Sequence, residues 1–361
     1  MGVILVAVGL FAGFGTAYLA SDNVRYLTRA GLEETRLLRN ARPLDVLIGD
    51  ASLPESRRNL LRLVRDVRLH AGTLGLTAGD TYTTFSDVGR DTLLLVLSAA
   101  PRDCICPVTW KYPIVGRVSY KGFFDPRMAE RERDRFADRG HDTSLRPSAA
   151  FSTLGWFNDP LLSTALVPDS VELAALVFHE MAHNTLFVKS ATAFNESFAQ
   201  MVGYRAAEHF FATRGDSARA RRARARWGDE IVLGEYYDAL VSRLTSFYDT
   251  KPDSATLDSG RVAIGRWARD LLQDSLATRL SFPVGRLAER PINNATLIGV
   301  RLYRTHLDWF DRFHAQHEEN LPETVSALRV LLEGASGDEA FRRLQEALAP
   351  PDSPAPETGP S

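Results

Sequence analysis

The stretch Val171-Glu172-Leu173-Ala174-Ala175-Leu176-Val177-Phe178-His179-Glu180-Met181-Ala182-His183, followed closely by Asn195-Glu196-Ser197-Phe198-Ala199, carries most of the structural information in this 361-residue chain. Pro168-Asp169-Ser170 reads as a helix start, with Asp169 and Glu172 at the spacing of a capping box. The residues from Val171 to Phe178 are apolar on nearly every side of the helix that follows, which predicts burial. At 3.6 residues per turn His179 and His183 share one face, one turn apart, and Glu180 is rotated by about 100° from His179. Two histidines and a glutamate on a buried helix are costly unless something satisfies them. A metal ion does so, because both imidazoles can reach one tetrahedral cation while Glu180 stands beside it without binding.

Catalytic zinc takes three protein ligands and leaves the fourth position to water. Water held there has its pKa lowered towards about 7, and the ion polarises a scissile carbonyl. Glu180 is then the candidate general base. The third ligand decides the class. A glycine three residues beyond His183 and a histidine three further on would mark the metzincins, but those positions hold Leu186 and Lys189. Glu196, thirteen residues after His183, is the candidate instead. A short loop, Val188 to Ala191, lets a second apolar helix carrying Phe198, Ala199, Met201 and Val202 fold back antiparallel to the first. The expected ligands of one Zn2+ per chain are therefore His179, His183 and Glu196.

The Asn-Glu-x-Phe-Ala segment resembles the third-ligand motif of the gluzincin metallopeptidases, including the large zinc aminopeptidases, whose spacer is longer. Many gluzincins carry an acid one turn after this glutamate, where it orients a zinc histidine. Here that place is Gln200, read either as an amide acceptor for an imidazole N–H or as a helix-surface residue. From about Tyr26 to about Ala347 the chain is similar to the bacterial predicted-aminopeptidase family. The residues that carry this are Ala41-Arg42-Pro43-Leu44, Tyr112-Pro113-Ile114-Val115-Gly116-Arg117-Val118-Ser119-Tyr120-Lys121-Gly122-Phe123-Phe124, Ser152 to Thr164, the two helical motifs, and Ile292-Asn293-Asn294-Ala295. The resemblance implies a zincin-like (gluzincin) region and removal of amino-terminal residues from peptides. The Gly-x-Met-Glu-Asn motif with which large zinc aminopeptidases hold a substrate amine is absent. Two alternatives stand beside this reading: an envelope endopeptidase, and a non-catalytic membrane-anchored factor that zinc merely organises.

With 45% hydrophobic and 24% charged residues the chain can bury a substantial core. Lys and Arg total 43 against 45 acids, a net charge of −2, so nucleic acid is not an expected partner. The cluster Arg219, Arg221, Arg222, Arg224, Arg226 reads as a solvated helix face rather than an anion patch. Cys104 and Cys106, at i and i+2 of an expected strand, point to opposite faces, which predicts two buried free thiols and no mutual disulfide.

Val3 to Ala20 contains no charge and spans about 27 Å as a helix, near the thickness of a bilayer core. It is read as a signal peptide or membrane anchor. Few positive charges precede it, whereas Arg25, Arg29, Arg36 and Arg39 follow, so charge counting faces the enzyme inward while the resemblance places it in the bacterial envelope, anchored or exported. Oligomeric state is not legible.

The expected fold is α+β: a small mixed sheet within residues 21–165, then a predominantly helical zinc-binding region within 166–348, with a disordered proline-rich tail over 349–361. Helices are predicted over Leu27 to Asn40, Glu55 to His70, Met128 to Arg139, Ile231 to Tyr248, Arg261 to Leu280 and Asn294 to Gln316. Strands are predicted over Thr92 to Leu97, Val115 to Tyr120, Asp142 to Arg146 and Ala149 to Leu154. The last is the candidate edge strand for pairing with a peptide backbone. Tyr236, Tyr237 and His209 are candidate donors to a tetrahedral intermediate. Asn293 and Asn294 read as helix caps, and His306, His314 and His317 as a solvated face.

Overall fold

The computed structural model of the chain describes residues 16, 18–20, 22–112, 116–148 and 160–349. Helix α1 (Asp22–Arg39) leads through β1 (Arg42–Pro43) and α2 (Leu44–Gly49) to α3 (Glu55–Ala71). Strands follow: β2 (Thr84–Ser86), β3 (Leu94–Pro101), β4 (Trp110–Tyr112), β5 (Gly116–Val118) and β6 (Lys121–Phe123). Then come α4 (Pro126–Ala137), β7 (His141–Ser148) and β8 (Leu161–Leu162). The remainder is helical: α5 (Ser170–Thr185), α6 (Thr192–Thr213), α7 (Ser217–Tyr248), α8 (Ser254–Asp270), α9 (Gly285–Ala288), α10 (Asn294–Arg301), α11 (Leu307–Gln316), α12 (Leu321–Leu331) and α13 (Glu339–Leu348). This is the expected α+β arrangement.

Among the described residues the strands form three small sheets in the orders β1-β2-β8, β6-β3-β7 and β4-β5. The first is mixed, with β2 antiparallel to β1 and parallel to β8. In the second, β3 is central and both neighbours run antiparallel to it, Val96 facing Gly122 on one side and Arg146 on the other. Leu97, Phe123 and the α4 residue Ala129 are buried together on one face of that sheet. Leu94 and Val96 pack on the other with Leu37 and Leu162.

The main core gathers α3, α5, α6, the first half of α7 and the last three helices around Phe178, Phe194, Phe198, Phe210, Trp227 and Phe310. Each such side chain contributes about 1.5–3 kcal/mol by leaving water. A second core joins the other half of α7, from Val232 to Tyr248, to α8, α9 and α10. The long helix α7 thus belongs to both. Polar contacts bolt this second core to β7 and to the segment that follows β3. Arg261 donates to Asp142 at 2.6 Å, to the Tyr248 hydroxyl and to the carbonyls of Arg102 and Ile292. Fully buried Asn294 accepts from Tyr248 and donates to the Pro101 and Cys104 carbonyls. Asn293 caps α10 as expected, while Asn294 is a clamp rather than a cap.

Several expectations are corrected. The helix predicted over 294–316 is two helices, interrupted from Leu302 to His306, where His306 takes a left-handed conformation. Buried Ser197 accepts the Thr305 amide there, so a tertiary contact outweighs the local helical pattern. The stretch expected as one strand over Val115–Tyr120 contributes β5, with β6 starting afresh at Lys121 because it pairs with β3. Cys104 and Cys106 lie in a bend, not a strand, and are joined to each other as a disulfide. The bend removes the alternation that would have parted the side chains, and Cys106 is exposed. His314 is buried against Thr324 rather than solvated. The Ala149–Leu154 strand, the 350–361 tail and nearly all of Val3–Ala20 lie outside the described residues. Among those described, no helix is long and apolar enough to cross a membrane.

Candidate functional site

Helix α5 begins where the sequence marks it, the Asp169 carboxylate accepting the Val171 and Glu172 amides at 3.0 and 3.4 Å. Glu172 does not close the box. It accepts from the Tyr204 hydroxyl at 2.9 Å and pairs with Arg226, binding α5 to α6 and α7. Arg222 pairs with Asp169, and Arg219 and Arg224 pair with Asp216 and Glu208. The arginine cluster is thus mostly a lacing of ion pairs, two of which steady the start of α5, and of the five Arg221 is exposed with no ion pair or hydrogen bond among the described residues. At the far end, Thr185 accepts the Thr77 amide and Asn184 donates to Thr81, fixing the turn that carries His183.

The return into α6 is set by one side chain. Buried Asn195 accepts the Val188 amide at 2.9 Å and donates to the Val188 carbonyl at 2.8 Å. This two-point grip closes the Val188–Ala191 loop immediately before Glu196. Further along, Gly203 lets the helices touch. A methyl group there would sit 2.7 Å from the Ala175 carbonyl oxygen and 3.5 Å from His179 Cβ.

The outcome is convergence. His179 Nε2 lies 3.1 Å from His183 Nε2, and Glu196 Oε2 lies 3.3 Å and 3.7 Å from the two nitrogens. One ligand atom from each residue falls within 4.8 Å of the others, a group that could hold a metal ion. A tetrahedron with metal bonds of about 2.0–2.1 Å has edges of about 3.3 Å, so the observed spacings fit. Burial opposes the charge on Glu196, but hydrogen bonds from His179 and His183 hold its carboxyl down at about 2. Burial likewise opposes a charged His183, yet Glu196 and then Glu180 raise it. The electrostatics therefore favour positive charge at the point between the three groups, as a cation site requires.

The second histidine lacks one support. His183 Nδ1 is buried without a hydrogen-bond partner, and half-buried Gln200 makes no hydrogen bond among the described residues, so it does not orient an imidazole here.

Of the proposed donors, none is brought to this point. Tyr236 and Tyr237 are buried in the second core, and His209 bonds His70 at 3.0 Å on the outer side of α3 and α6. The side chain that does reach the site is Tyr303, in the break between α10 and α11. Its ring centroid is 6.2 Å from that of His179. Burial raises its pKa, and Glu196 adds to this, so its hydroxyl stays protonated and able to donate. The Tyr303 turn is held by Ser197, by Arg304 donating to Glu230 at 3.1 Å, and by Gly234, whose missing side chain admits the Arg304 carbonyl. Nothing local in the sequence marks this break, since the contacts that make it come from α6 and α7.

The fold and the grouped histidines and carboxylate define an α+β chain with a candidate metal site on two antiparallel helices. Residues 25–342 match the model of the family described as "Putative aminopeptidase", and the chain belongs to that family. No curated protein and no solved structure matches it.

Proposed function

We propose that the chain is a zinc-dependent metallopeptidase that removes amino-terminal residues from peptides. The observation that carries this is the meeting of His179 Nε2, His183 Nε2 and Glu196 Oε2, with Glu180 one residue along the same helix. Two nitrogens and one oxygen are the ligand set of a catalytic zinc of the gluzincin type, and zinc bound there supplies Lewis-acid polarisation of the carbonyl and a more acidic water.

The remaining work falls to the chain's own side chains. Glu180 takes the proton of the attacking water and returns it to the leaving amine. The Tyr303 hydroxyl donates to the oxygen that becomes negative as the carbonyl carbon turns tetrahedral. Asn195, Gly203 and Ser197 touch no substrate; they fix where Glu196 and Tyr303 stand. The exopeptidase assignment follows from the family. The uncharged Val3–Ala20 run supports a place in the bacterial envelope, which protease accessibility on intact and permeabilised cells tests directly.

The test of the reaction is Glu180→Gln. It removes the base and no ligand, so zinc content should match the parent while turnover falls by about 10²–10⁴-fold or more. Retained turnover in the zinc-loaded variant would refute the assignment. Cleavage that persists on an amino-acetylated peptide would make the enzyme an endopeptidase instead.

A further inference from the structure

Resting on the peptidase reading above, in which Tyr303 donates to the reacting oxygen, we propose that the Cys104–Cys106 disulfide is a redox latch. Oxidised, it steadies the helix that sets the Tyr303 turn; reduced by an external dithiol, it lowers turnover without releasing the metal.

The bond links residues only two apart, and so short a ring takes little freedom from the unfolded chain. Global stability is therefore a weak reason for it to exist. Cys106 is exposed and Cys104 half-buried, so a thiolate from solution can reach the Cys106 sulfur. The chain has 2 cysteines, so no third thiol of its own can exchange with the pair.

What the disulfide governs is the bend at Ile105. The Cα atoms of Cys104 and Cys106 lie 5.2 Å apart, whereas two extended steps would separate them by about 6.6 Å. Opening the bond frees the segment to lengthen by about 1.4 Å, enough to break a hydrogen bond. Three carbonyls here are gripped from the second core. Asn294 donates to those of Pro101 and Cys104 at 2.9 and 3.2 Å, and Arg261 donates to that of Arg102. Ile105 itself packs against that core. Asn294 is the first residue of α10, which runs 8 residues, about 12 Å, to the break carrying Tyr303. The Tyr303 ring stands 6.2 Å from that of His179. Bend, Asn294, α10 and Tyr303 thus form one continuous line. The helices α5 and α6, which carry the candidate ligands, belong to the main core instead.

The exchange balances. A thiolate of the dithiol attacks the Cys106 sulfur, and Cys104 leaves as a thiolate and takes up a proton. The second thiol of the reductant then closes on the first, releasing Cys106. The chain gains two electrons and two protons, and the dithiol becomes a disulfide.

The experiment compares three zinc-loaded forms of the full chain. They are the oxidised parent, the parent reduced with dithiothreitol and desalted without oxygen before zinc loading, and the Cys104→Ser/Cys106→Ser double variant. Alkylation with mass spectrometry counts thiols, and zinc content, kcat, KM and amide hydrogen exchange are measured on each. Native reduction should expose both thiols and lower kcat by about 2–30-fold, the scale of coupling through packed elements. KM and zinc content should stay as they were. Exchange should quicken over residues 294–305 and not over 171–185. The double variant should match the reduced parent and ignore dithiothreitol; should it not fold, the reduced parent decides. Two free thiols in the aerobically purified protein, a disulfide that resists native reduction, equal kcat in both redox states, or slower turnover without quicker exchange over 294–305 would overturn the latch and leave the peptidase reading standing. A protein that cleaves no peptide in either state, yet quickens over 294–305 on reduction, would keep the redox-sensitive strut and sink the peptidase reading.

Discussion

Replacing Gly203 by alanine probes the packing that brings Glu196 to the histidines. The added methyl would lie 2.7 Å from the Ala175 carbonyl oxygen, backbone that cannot swing aside. Carbon–oxygen contacts settle at about 3.3 Å, so α5 and α6 must part locally by about 0.6 Å. Glu196 is seven residues away on α6, about 10 Å along the axis, close enough to be carried with it. Its oxygen, now 3.3 and 3.7 Å from the two imidazole nitrogens, would recede by as much as about 0.6 Å, away from a tetrahedral edge of about 3.3 Å. Zinc affinity should fall about 10–100-fold, the scale seen when the support of a metal ligand is disturbed. Overpacking should cost about 1–3 kcal/mol, offset in part by about 1 kcal/mol of improved helix propensity. Gly228 on α7 provides the control, because a methyl there meets nothing within 4 Å; Gly228→Ala should stabilise by about 0.4–1 kcal/mol and leave zinc untouched. The assay is zinc competition against a chromophoric chelator together with urea unfolding. A Gly203→Ala protein as stable as Gly228→Ala, holding zinc as tightly as the parent, would refute the close-packing argument.

Other outcomes follow from single contacts. Asn195→Ala removes both hydrogen bonds to Val188 and leaves two buried backbone groups unmet, which should cost about 2–4 kcal/mol in chemical unfolding and loosen zinc as well. Tyr303→Phe should lower kcat by about 10²–10³-fold with KM nearly unchanged, as loss of a donor to the transition state does. His314 predicts a pH effect remote from the metal. Burial first, then Arg205 beside it, depresses its pKa from 6.5 to about 4, despite the nearby Asp311 and Glu319. Between those values the unfolded chain binds a proton that the fold refuses, so stability falls as pH drops from about 6.5 towards about 4. The loss is on the order of 3 kcal/mol. Unfolding midpoints at pH 7 and pH 4.5 should differ less in His314→Asn than in the parent.

The parts of this molecule legible in its sequence are those governed by local pattern. The apolar run before His179, the Asp169 start and the four-residue return fix α5 and α6 within a residue or two, and they supply the three candidate ligands together. What escaped the sequence is tertiary. The pattern over 294–316 is continuously helical, and only the Thr305 amide reaching Ser197 shows why it breaks at Tyr303. The role of Asn195 was hidden for a similar reason, because its partners are loop backbone atoms that any residue would present. Cys104 and Cys106 were misread through a strand assumption that the bend at Ile105 overturns. The value of Gly203 appears only once Ala175 lies against it.

Anomalous diffraction at the zinc absorption edge, from crystals of the zinc-loaded protein, tests the central claim most directly. The account predicts one strong peak within about 2.0–2.2 Å of His179 Nε2, His183 Nε2 and a Glu196 oxygen. A zinc-replete crystal with its peak elsewhere, or with Glu196 outside bonding range, would contradict it.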